Sequence, residues 1–198
     1  MGGLRSLQSL TLSNNQFTGS LPASLGDLSE LSELYLNNNQ FSGGLPPSLG
    51  QLTKLKYFEA ENNQFSGNLP VSMQQCTLLN RLLLANNQMT GEMPGIFEQL
   101  KQLHRLDLTN NQLTALPENL GSAEALQYLY VGNNQLKALP ESFSQLRKLQ
   151  YFKANTNQLS YLPAVTDNFA GLVDVDLSFN ALKEFPEALA SPVKKDKV

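Results

Sequence analysis

An asparagine returns at fixed intervals along nearly the whole chain: Asn15, Asn39, Asn63, Asn87, Asn111, Asn134, Asn157 and Asn180. The first four steps are 24 residues and the last three are 23. Pro22, Pro46, Pro70, Pro94, Pro117, Pro140, Pro163 and Pro186 keep the same register and account for eight of the ten prolines. A unit of this length cannot bury its own apolar face. Only stacking on its neighbours makes a core, so the chain must be quasi-one-dimensional.

Leucine sets the internal pattern. The 198 residues include 39 Leu and 20 Asn. Each unit opens on L-x-x-L-x-L-x-x-N-x-L or a close variant, as in Leu7 to Phe17 and Leu103 to Leu113. Eight such units in register, starting near 7, 31, 55, 79, 103, 126, 149 and 172, resemble the leucine-rich repeat family. The resemblance implies an α/β fold: a right-handed, horseshoe-like solenoid with a parallel β-sheet on its concave face and short helices or 3₁₀ turns on its convex face. A single domain over 1–192 and a charged tail over 193–198 follow from the spacing.

Within such a unit, x-L-x-L predicts a short strand stacked about 4.8 Å from the next. The Leu side chains point inward. The repeat Asn is expected to be buried in the turn after the strand. There its amide both donates to and accepts from backbone groups that would cost about 1–3 kcal/mol each if left bare. Leu-Pro starts the return leg with φ fixed, and a one-turn helix fits Ala23 to Leu28 and its equivalents.

Two kinds of unit are present. The first four carry Gly19, Gly43, Gly67 or Gly91 before Leu-Pro or Met-Pro, similar to plant-type repeats; Gly there permits positive φ. Later units are one residue shorter and carry Ala115, Ala138, Tyr161 or Glu184 at that place, similar to intracellular 23-residue repeats. Unit seven breaks the outer-face pattern at Thr166, where a local rearrangement is expected. Leu4 matches the end of a return leg, which suggests a fragment or a truncated array, and Pro192 ends the last leg before a frayed tail.

Composition removes most chemistry. One His and one Cys rule out the usual metal, triad and disulfide arrangements. Net charge −3 without a basic stripe argues against nucleic acid, and the apolar runs are too short to span a membrane. Cys76 replaces a core Leu and is expected to be a buried thiol. Neither an enzyme nor a cofactor site is indicated.

Function then rests on the strand positions that face away from the core. The third and fifth places of each unit hold five of the six tyrosines, where random placement would put fewer than one. Tyr and Arg dominate binding hot spots, although Tyr also suits strands for packing reasons alone. Tyr35, Tyr57, Glu59 and Glu61 form one patch. Arg81, Arg105 and His104 form a second, with Asp107 and Glu59 near enough to neutralise the arginines. Tyr128, Tyr130, Tyr151 and Lys153 form a third. The reading is non-catalytic recognition of a protein or peptide by the concave face. Two others stay open. One is a regulatory or structural segment of a larger receptor, kinase or GTPase-type protein. The other is an ice or glycan binder that uses the exposed column Asn14, Asn38, Asn62, Asn86, Asn110 and Asn133.

Overall fold

A computed structural model describes residues 4–163 and 171–184. Eight three-residue strands form one parallel sheet in chain order: Ser9–Thr11, Glu33–Tyr35, Tyr57–Glu59, Arg81–Leu83, Arg105–Asp107, Tyr128–Tyr130, Tyr151–Lys153 and Asp174–Asp176. Register is kept unit to unit, so Leu10, Leu34, Phe58, Leu82, Leu106, Leu129, Phe152 and Val175 form one inward column. From Leu34 to Phe152 that column is essentially inaccessible to water. The period-two alternation of a strand puts its neighbours on the opposite, open face.

A second parallel sheet, not read from the sequence, follows the Asn turn in the first five units. Its strands are Thr18–Gly19, Gln40–Gly43, Gln64–Gly67, Gln88–Glu92 and Gln112–Ala115. Four of them contain the plant-type glycine in the left-handed region, at φ +78°, +75°, +72° and +79° for Gly19, Gly43, Gly67 and Gly91. That conformation suits Gly and lets the chain bend from the strand into Leu-Pro. Beneath this sheet Phe17, Phe41 and Phe65 stack with ring centroids 5.7 and 6.0 Å apart.

The return legs carry 3₁₀ turns rather than α-helices: Ala23–Asp27, Pro47–Gln51, Val71–Gln75, Leu120–Ser122 and Glu141–Gln145. Unit four departs from the expected helix and has a simple turn over 97–99. Turns pack closely where Gly26, Gly50 and Gly121 meet the next leg; a Cβ on Gly50 would collide with the Ser72 carbonyl. Thr166, Pro186, Pro192 and the tail 193–198 lie outside the described residues.

The repeat asparagines bond as a column. Asn63 Nδ2 donates to Leu36 O at 3.0 Å and Ala60 O at 3.2 Å, and its Oδ1 accepts from the Phe41 amide at 3.0 Å. Asn39, Asn87, Asn111 and Asn134 repeat the arrangement and are buried. Asn157 and Asn180 repeat it half-buried. Asn15 departs from the expected burial: it is exposed and donates only within its own turn, to Leu12 O and Ser13 O. No earlier turn lies against it among the described residues.

Candidate functional site

The open face of the eight-stranded sheet collects the variable residues. Along its third-place row Glu33, Tyr57, Arg81, Arg105, Tyr128, Tyr151 and Asp174 are successive register partners. Along the fifth-place row the sequence is Tyr35, Glu59, Leu83, Asp107, Tyr130, Lys153 and Asp176. The three sequence-predicted patches are thus contiguous.

The charged groups pair along the face. Arg81 Nη1 lies 3.6 Å from Glu59 Oε1, and Arg105 Nη2 lies 3.7 Å from Asp107 Oδ2. The two arginines on adjacent strands therefore each have a carboxylate, which offsets their mutual repulsion. At such separations and with substantial exposure, pairs of this kind are worth no more than about 1 kcal/mol. Lys153 Nζ contacts Asp174 Oδ2 at 2.5 Å. The guanidinium of Arg81 also lies 5.4 Å from the Tyr57 ring, and that of Arg105 lies 5.9 and 5.2 Å from Tyr128 and Tyr130. These distances are within cation–π range.

The tyrosines of units six and seven form one aromatic cluster. Tyr128 and Tyr151 stack with centroids 4.7 Å apart and planes 4° from parallel. Tyr130 meets Tyr128 edge-on at 6.4 Å, and His104 meets it edge-on at 5.3 Å. Burial pushes the Tyr130 hydroxyl above its ordinary value, as it does for Tyr35, where Glu33 and Glu59 add to the effect. Both therefore remain neutral hydroxyls at physiological pH.

A seventh-place column, of which the sequence reading took only Glu61, extends the face beyond the third- and fifth-place rows. It includes Asn37, Glu61 and Ala85. Strand alternation carried two residues further finds it. Glu61 Oε2 is buried without a hydrogen-bond partner. Burial holds this carboxyl above the usual carboxylate range, and Glu59 and Asp107 push the same way.

Other candidates are engaged elsewhere. Asn14, Asn38, Asn62, Asn86, Asn110 and Asn133 all have positive φ, between 52° and 59°. Asn38 donates to Asn14 at 2.8 Å, Asn62 to Asn38 and Asn86 to Asn62 at 2.7 Å, and Asn110 to Asn86. The first five amides thus form a ladder of single bonds along the exposed turn. Cys76 is fully buried; its thiol reaches only Leu49 O and is pushed up to about 11 by burial. Among the described residues no cluster of His, Cys, Asp and Glu is placed to hold a metal ion, and no helix is long and apolar enough to cross a membrane.

Comparison with known proteins places these features. Leucine-rich repeat family models match residues 6–28, 30–52, 77–136 and 101–159, well over half of the chain. No curated protein sequence matches. Among solved structures, the chain is 35% identical to one in the PEPR1–AtPEP1 structure, with a TM-score of 0.90 over 95% of this chain and 27% of that one. It is 34% identical to a TDR receptor, at 0.89 over 94% and 33%. It is 29% identical to the Arabidopsis receptor kinase HAESA in complex with the peptide hormone IDA and the co-receptor SERK1, at 0.87 over 93% and 32%. The chain spans a third or less of the length of these receptor chains. Repeat register, parallel sheet and family match agree: the chain is an α/β solenoid and belongs to the leucine-rich repeat family.

Proposed function

We propose that this chain is a non-catalytic recognition module that takes a protein or peptide partner on the concave, open face of its eight-stranded sheet. One observation carries the reading. Tyr35, Tyr57, Tyr128, Tyr130 and Tyr151 all lie on that face, interleaved with Arg81 and Arg105. Tyr and Arg offer large contact area at low ordering cost. The structural relatives support it, since one is a receptor kinase in complex with a peptide hormone and a co-receptor. The face residues proposed to contact the partner are Tyr35, Tyr57, Glu59, Arg81, Arg105, Asp107, Tyr128, Tyr130, Tyr151 and Lys153, on one domain over 1–192.

A random-peptide display selection against the purified chain tests this. The expected result is a set of binders that lose at least tenfold in affinity when Arg105, Tyr130 and Tyr151 are changed to Ala. Binders indifferent to that triple change, in a variant whose melting curve matches the parent, overturn the reading.

A further inference from the structure

The charge on the open face is sorted by position. Along the two strand rows the cations are matched: Arg81 with Glu59, Arg105 with Asp107, Lys153 with Asp174. Lys56, one place before Tyr57, is exposed and makes no ion pair among the described residues. Glu33, Glu61 and Asp176 make no ion pair among the described residues, and in units two and three Glu33 and Glu61 outnumber the unpaired Lys56 by one negative charge. The Glu33 carboxylate accepts the Ser9 hydroxyl at 3.0 Å. Glu61 has less support. One of its oxygens is buried and unpartnered. On the next strand Leu83 pairs in register with Glu59, and Ala85 follows two places on; both are buried and neither offers a side-chain donor. Three units further along, the charged surface gives way to the Tyr128–Tyr151 stack.

We infer that the occupant of this face is an extended peptide segment with a Lys or Arg against Glu59 and Glu61 and an aromatic side chain on the Tyr128–Tyr151 stack. The inference rests on the open face being the partner site. A guanidinium or ammonium supplies a donor to the unpartnered Oε2 of Glu61, and a charge-assisted bond of that kind is stronger than a neutral one. Geometry sets the spacing. Glu59 lies three strands from Tyr128 and four from Tyr151, which at about 4.8 Å per strand is about 14–19 Å. An extended chain rises about 3.4 Å per residue, so the basic and aromatic residues stand about four to six positions apart.

The test uses fluorescein-labelled peptides of a Gly/Ser background with one Arg and one Trp, separated by one to nine positions, titrated by anisotropy against the full chain. The tightest binding is expected at separations of four to six, at least tenfold tighter than at one or nine. The E59Q/E61Q double variant is expected to lose tenfold or more with these peptides and nothing with controls in which Gln replaces Arg. Affinity independent of spacing, no loss in the double variant, or no binding by any peptide overturns the inference. The display selection separates the two readings. Binders that are lost in the Arg105, Tyr130 and Tyr151 variant yet carry no such basic–aromatic pair leave the open face as the partner site and discard this occupant. Binders indifferent to that variant discard both.

Discussion

The Phe65 amide donates to Asn87 Oδ1 across 2.9 Å, which ties the third unit to the turn of the fourth. The same Asn87 amide donates to Ala60 O and Leu84 O. Changing Asn87 to Ala therefore bares several buried backbone groups at once. The expected cost is about 2–4 kcal/mol, because each such group costs about 1–3 kcal/mol when unsatisfied. Asn15, exposed and bonded only within its turn, should cost less than about 1 kcal/mol on the same change. Urea unfolding of both variants measures the difference; equal losses would show that the inter-unit bonds contribute little.

Phe179 occupies the left-handed turn position that six sister units give to Asn, at φ 54°. Its side chain is 82% exposed, so packing does little to offset the backbone strain. Left-handed φ costs a residue with a Cβ about 1–2 kcal/mol, and Asn tolerates it better than a bulky aromatic does. Phe179→Asn is expected to stabilise the chain by about 1 kcal/mol, which thermal melting would show as an upward shift of about 2–4 °C.

Glu61 gives a pH signature. Burial raises its carboxyl above the ordinary value of 4.5, with Glu59 and Asp107 adding to the effect. A carboxyl of raised native pKa binds its proton more tightly folded than unfolded. Stability therefore falls as pH climbs from the unfolded value through the raised one, and the penalty persists at neutral pH. Glu61→Gln removes it. The variant should melt higher than the parent at pH 7, by about 2–4 °C for each kcal/mol recovered. The gap should close as the pH is lowered through 4.5. A gap that widens on acidification would contradict the sign. The same substitution is expected to weaken binding of an Arg-bearing peptide, so stability and recognition oppose each other at this residue.

Cys76 should be inert in the folded chain. Its thiol is buried and pushed up to about 11, which leaves little thiolate at pH 8. Iodoacetamide labelling at that pH is expected to be at least roughly a hundredfold slower in the native protein than in urea. Native labelling at the rate of a free thiol would place Cys76 at the surface.

Most of the scaffold was legible because it repeats. The inward Leu column, the turn Asn and the positive φ of Gly19 to Gly91 are local demands, restated in each unit by residue type and spacing. The second sheet was not legible. Strands such as Gln64–Gly67 and Gln88–Glu92 are short and polar outward, and they exist because stacking puts their backbone groups beside those of the next unit. The simple turn of unit four likewise escaped the helix pattern read from its neighbours.

The sequence by itself determined that this chain stacks repeated units, which residues fill its core and which side chains vary on the open face, since all three follow from periodicity. Only the tertiary structure decided how those variable residues combine. Units 23 or 24 residues apart in sequence become neighbours one strand apart. Across that gap Tyr128 meets Tyr151, Arg81 meets Glu59, and Glu61 is left beside Leu83 and Ala85 with one carboxylate oxygen unpartnered.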